Sequence, residues 1–154
     1  MSCQTIVRQR DHAAARSFAG LMDLYEQNYI RLRTMAPNLD IADEMVSVVP
    51  GHQDLYLSVT QRCRYTTMMR MTYHFEDAGQ KVLEPDLYLK MYHDARVVEV
   101  QHMQSRSRGP LYLAQLIEQK WRMNRFLYKW LGYCLFQGHQ FHSIAYLEGG
   151  CKVR

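Results

Sequence analysis

The segment from Asp86 to His102 (DLYLKMYHDARVVEVQH) constrains this chain more than any other, because its chemistry sets a hairpin register. Reversal at Asp94-Ala95 places Met91 opposite Val98, Leu89 opposite Val100 and Lys90 opposite Glu99. One face of the ribbon is then apolar. The other carries a cross-strand ion pair, Lys90 with Glu99, between Tyr88 and Tyr92. The tip, His93-Asp94-Ala95-Arg96, gathers three titratable side chains at the end of the apolar face.

The same alternation continues upstream. Leu55, Leu57 and Val59 alternate with Tyr56, Ser58 and Thr60, and Met69, Met71 and Tyr73 alternate with Met68, Arg70, Thr72 and His74. Met45–Val49 reads as a short edge strand that stops at Pro50. The acidic connection from Glu76 to Pro85, with Gly79, reads as a loop, and Ser105 to Pro110 reads as a second break. Before the strands, Phe18, Met22, Tyr25, Tyr29 and Leu32 recur at helical spacing within Asp11–Ala36, widened by Leu21 and Met35, and Pro37 ends the helix. After them, Pro110 opens a long helix that stops at Gly138.

The predicted fold is therefore α+β. An antiparallel meander of four to five strands spans 44–103, with the helices 11–36 and 110–138 packed on one face. Residues 1–10 are expected to be mobile and 139–154 to form a tail. At 154 residues, 47% apolar and 22% charged, the chain suits one folded domain. No run of about 18 apolar residues is present, and no secretory signal is visible, so a cytoplasmic protein without a membrane span is expected. Cys3, Cys63, Cys134 and Cys151 lack metal-ribbon spacing, and neither a disulfide framework nor a metal is expected; His139 and His142 with Cys134 and Cys151 make only an irregular set.

Three features point toward function. On the wheel of the C-terminal helix, the stripe Leu113, Leu116, Ile117, Leu127, Leu131, Cys134 and Leu135 has Lys120 and Asn124 at its centre. An amine and an amide there must find partners or reach solvent, since unpaired burial costs about 1–3 kcal/mol. They either line a small polar pocket that offers Lys120 to an anion, or Lys120 snorkels past the sheet edge while Asn124 ties down a carbonyl. The second feature is the other sheet face, where Tyr56, Arg62, Arg70, Tyr88 and Tyr92, with Thr60, His74 and Lys90, could stack bases and hold phosphates, or close a homodimer. The third is His93 beside Asp94, a possible general base and orienter, although adjacent strand residues point to opposite faces. The basic set Arg106, Arg108, Arg122, Arg125 and Lys129 suits an acidic partner or a solvated helix face.

Short motifs then give a resemblance. Asn28-x-x-x-Leu32-Arg33 before Pro37, Arg64-Tyr65-Thr66-Thr67, Tyr92-His93-Asp94-Ala95, Glu99-Val100 and Asn124-x-Phe126-Leu127-x-x-Trp130-Leu131-x-Tyr133-Cys134-Leu135 together resemble the YqiB-like family of small bacterial proteins. The resemblance covers about residues 20 to 138. It implies a cytosolic bacterial protein, includes Asn124 and the His93-Asp94 tip, and supplies no activity. Some members carry a dehydrogenase label, but no G-x-G-x-x-G or parallel βαβ pattern is present here, so no nicotinamide or other cofactor is expected. The preferred reading is a non-enzymatic binding or adaptor domain for a small anionic ligand or an acidic protein surface, using Lys120, Asn124, His93 and Arg96. The alternatives are single-stranded nucleic-acid binding on the Tyr/Arg face, and an enzyme using His93 and Asp94.

Overall fold

A computed structural model describes residues 17–103 and 113–144. Helix α1 (Phe18–Met35) is capped by Ser17, whose Oγ accepts the Gly20 N–H at 3.0 Å. It ends where the Ala36 N–H returns to the Leu32 carbonyl, directly before Pro37. Its buried face is Leu21, Tyr25, Asn28, Leu32 and Met35. This corrects the expected stripe: Phe18 is exposed, and the face is turned toward Leu21 and centred on Asn28, whose amide the Asn124 carbonyl holds. Residues 11–16 of the expected helix lie outside the described residues.

The strands β1 (Glu44–Ser47), β2 (Asp54–Arg62), β3 (Thr66–Asp77), β4 (Gln80–Tyr92) and β5 (Val97–Met103) form an antiparallel meander. The hairpin register is the one its chemistry sets, with Met91 opposite Val98, Lys90 opposite Glu99 and Leu89 opposite Val100. Leu55, Leu57, Met69, Met71, Leu87, Leu89, Met91, Val98 and Val100 form the buried face.

Two corrections concern the sheet. The stretch from Glu76 to Pro85 is not a loop: β3 and β4 continue to a two-residue turn, Ala78-Gly79, with both φ angles positive (51° and 78°). That geometry matches strand twist. Its flanks Glu76, Asp77, Gln80 and Lys81 are exposed, so no apolar alternation marks them. The sheet also has six strands, in the order β5-β4-β3-β2-β1-β6, so β1 is not an edge. The sixth, β6 (His142–Ser143), pairs with β1 and comes from the segment expected to be a tail. Phe141 explains why that segment is fixed: its ring is fully buried and its N–H donates to the Met35 carbonyl at 2.7 Å.

Helix α2 (Leu113–Gln137) buries Met123, Leu127, Trp130, Leu131 and Cys134. It closes on Gly138 (φ 91°), with the Gly138 N–H on the Leu135 carbonyl and the His139 N–H on the Cys134 carbonyl, a Schellman pattern. Leu116 and Ile117, expected in its stripe, are exposed. Lys120 and Asn124 already meet the outermost strand β5, and no described strand lies beyond it for earlier residues to cover. The side chain of Leu113 and the break at 105–110, with Arg106 and Arg108, lie outside the described residues.

The helices lock to each other through polar groups. Asn28 Nδ2 donates to the Asn124 carbonyl at 3.1 Å. Arg31 donates to the Tyr128 carbonyl at 2.7 Å, with its guanidinium 3.6 Å from the Tyr128 ring centre. Gly132 makes room for it, since a Cβ there would stand 2.5 Å from Arg31 Nη1.

Candidate functional site

The polar pair in the apolar stripe of α2 meets the edge of β5. The outward N–H of Val100 donates to Asn124 Oδ1 at 2.8 Å, and its carbonyl accepts from Lys120 Nζ at 3.0 Å. Asn124 Nδ2 donates back to the Lys120 carbonyl at 2.8 Å, which fixes the orientation of the amide. A helix thus covers an edge strand that would otherwise carry free backbone groups. Asn28 shares this junction. Its amide orientation is set by donation to the Asn124 carbonyl, so Oδ1 faces away and is buried without a hydrogen-bond partner among the described residues.

Beside the pair lies a carboxylate the sequence placed differently. Glu99 faces Lys90 in register, but no ion pair joins them among the described residues. Lys90 lies over the Tyr92 ring at 5.0 Å, and the nearest cation to Glu99 is Lys120, with Nζ 3.8 Å from Oε2. Glu99 Oε1 accepts from the Tyr92 hydroxyl at 2.8 Å and from the Gln101 amide. Burial, then the bond to Glu99, pushes the Tyr92 phenol up to about 12. Burial, then the charge of Glu99, also raises Tyr25 of α1, so both phenols stay neutral donors. In the sequence, Tyr25 stands out only as part of the apolar stripe of its helix, and nothing marks Gln101. The fully buried Asn28 was visible only within a motif.

The other expected members of the site share no hydrogen bond or ion pair with Lys120 among the described residues. His93 Nε2 is 2.7 Å from Thr67 Oγ1, and the backbone N–H of His93 donates to the Tyr65 carbonyl. No hydrogen bond or ion pair joins His93 to Asp94 among the described residues, and Asp94 is exposed. Arg96 is exposed at the turn with φ 55°.

The open sheet face is largely self-paired. Arg70 forms two bonds to Asp86, 2.7 and 2.6 Å, with its guanidinium 5.4 Å from the Tyr88 ring. Tyr56 stacks on His74 at 3.9 Å, and Tyr88 packs beside His102. Arg62 turns away to Asp43 and the carbonyls of Leu39 and Ala42.

At the far end of α2, Ser47 Oγ is 2.8 Å from His139 Nδ1 and accepts the Gln140 N–H at 2.9 Å. His139 is buried, and burial holds its imidazole below the ordinary range, with His52 adding to the shift. The Cys134 thiol, 3.2 Å from the Tyr73 hydroxyl, is pushed up to about 11 by burial. His139 and Cys134 are thus engaged elsewhere than with each other, His142 is exposed, and Cys151 lies outside the described residues.

The chain matches a family model described as "Protein of unknown function (DUF1249)" over residues 31–140. It belongs to the DUF1249 family. Relatives named "Uncharacterized protein YqiB" in Escherichia coli K12 and in E. coli O157:H7 are each 31% identical over 127 residues, covering 79% of this chain and 90% of the relative. No solved structure matches it. The DUF1249 match contains Asn124, Lys120, Glu99 and the hairpin tip, and it reaches the Ser47–His139 contact. No described helix is long and apolar enough to cross a membrane.

Proposed function

We propose that this DUF1249 protein is a non-enzymatic binding module that holds a small anion at the junction of α1, α2 and β5. Lys120 is its charged contact. The observation that carries the reading is the incomplete use of the ammonium. One N–H goes to the Val100 carbonyl at 3.0 Å, Glu99 Oε2 at 3.8 Å is beyond hydrogen-bond distance, and the side chain is 32% exposed. Two donors are therefore left on an amine whose direction the strand fixes. Asn124, with both amide groups engaged, serves as a positioning residue for Val100 and Lys120.

Arg96 lies four residues from Val100, about 13 Å along an extended strand. One small anion does not span that distance, so Arg96 and His93 extend the reading to larger anionic groups or an acidic protein surface. Binding of single-stranded nucleic acid on the open face is the weaker alternative, because Arg62 and Arg70 already hold protein acceptors. The test is thermal unfolding with inorganic phosphate, citrate and nucleoside monophosphates. At least one should raise the Tm of the native chain, and Lys120→Met, which keeps the apolar stem, should remove the rise. An equal rise in the variant overturns the assignment.

A further inference from the structure

Helix α2 has a second organised face, turned away from the sheet and from Lys120. Arg122, Phe126, Lys129, Tyr133 and Phe136 follow one another at intervals of four, three, four and three residues, which aligns them on one side of a helix. All are exposed: Phe126 by 38%, Tyr133 by 57% and Phe136 by 90%. Arg125 flanks the row and is exposed too. None of the three cations has an ion-pair partner among the described residues. Glu118, at the start of the row, is the only acid in the helix. Solvent-facing helix positions are ordinarily polar, so three large rings spaced between unpaired cations form a surface with a direction and a sign.

We propose that this row docks an acidic amphipathic helix of another protein. Apolar residues of the partner, at intervals of three and four, would cover Phe126, Tyr133 and Phe136. Its flanking carboxylates would meet Arg122, Arg125 and Lys129. Charge opposes pairing of the row with the same row of a second copy. The row is centred on Lys129, so two copies laid antiparallel would set Lys129 against Lys129 and bury cations without acids. A lipid surface fits less well, because the cations stand within the row, whereas an interfacial helix needs an unbroken apolar face. The apolar face of α2 already lies on the sheet.

The probe is a designed peptide of about three heptads, with Leu and Ile at the seam and Glu beside it, compared with a scrambled peptide of the same composition. Binding to the native chain should weaken about tenfold between about 0.05 and 0.5 M salt. It should be lost in the double variant Arg122→Glu, Lys129→Glu, and recovered when the peptide carries Lys in place of Glu. Tyr133→Ser with Phe136→Ser should also abolish it, with helical circular dichroism and Tm retained. Lys120→Met should leave peptide binding intact, which separates this surface from the anion site. The proposal is overturned if the scrambled peptide binds equally, if charge reversal has no effect, if vesicles of anionic phospholipid bind where the peptide does not, or if the row self-associates in sedimentation.

Discussion

Asn124 accepts the backbone N–H of Val100 on its side-chain carbonyl at 2.8 Å, so a helix side chain stands where a further strand would. Both residues are buried, and the amide is oriented by its own donation to Lys120. Asn124→Leu keeps the branched outline of the side chain and removes the acceptor of the Val100 N–H. We expect a loss of about 2 kcal/mol in urea unfolding, within the range for a buried donor without a partner. Amide exchange at Val100 should accelerate more than exchange at Leu89 across the ladder. Equal stability would show that the edge of β5 needs no cover.

Gly132 and Arg31 should be coupled, with a change of sign. Alanine is ordinarily favoured over glycine in a helix by about 1 kcal/mol. At Gly132 it would displace Arg31, which holds the Tyr128 carbonyl and lies over the Tyr128 ring. Losing a charged hydrogen bond and a cation–π contact costs more than the propensity gained, about 2 kcal/mol or more. Gly132→Ala should therefore destabilise the native chain and stabilise an Arg31→Ala background. A double-mutant cycle measures this directly, and additivity of the two changes would refute it.

These two contacts show where sequence reasoning reached and where it stopped. Period-two alternation identified the buried sheet face and the register of β4 on β5, because each slip would turn Met91 and Val98 into water. The same logic flagged Lys120 and Asn124, since polar groups in an apolar stripe demand partners. It could not name the partner, because the edge of β5 is a backbone feature without residue chemistry. Strand register pairs Glu99 with Lys90, yet long side chains choose among all neighbours, and Tyr92, Gln101 and Lys120 compete for the carboxylate. The solvated ends of β3 and β4 carried no apolar pattern. Phe141 and β6 escaped because five residues after a helix stop look like any tail.

Arg70 and Asp86 should respond unequally to truncation. Asp86 is almost fully buried, whereas Arg70 keeps a third of its side chain in solvent. Arg70→Ala strands a buried carboxylate, and a cost of about 3 kcal/mol is expected. Asp86→Ala leaves a guanidinium that can regain water, so solvent screening brings its cost to about 1–2 kcal/mol. Chemical denaturation of both variants at neutral pH tests the order. A reversal would place the main desolvation on the arginine.

His139 should make the fold acid-sensitive. Ser47 Oγ accepts the Gln140 N–H and stands 2.8 Å from His139 Nδ1, so one ring nitrogen already has its partner in the neutral imidazole. Nε2 is buried without a partner among the described residues, and a second ring proton would add a charge with no acceptor for it. Burial holds the folded imidazole below its ordinary value, His52 pushes the same way and Asp54 opposes. The unfolded chain takes up the proton near pH 6.5, so on acidification it binds more protons than the folded chain. The stability contributed is full above that value and is lost as pH falls through it, with a slope of at most about 1.4 kcal/mol per pH unit for one proton. His139→Gln keeps an amide near Ser47 and cannot titrate, so its unfolding free energy should fall less steeply between pH 7 and 5. Parallel profiles for the two proteins would show that His139 already titrates normally in the folded state. Proteolysis after residue 138 offers an independent reading, because Gln140 and Phe141 are held through Ser47 and Met35. Cleavage there should rise at pH 5 in the native chain more than in His139→Gln.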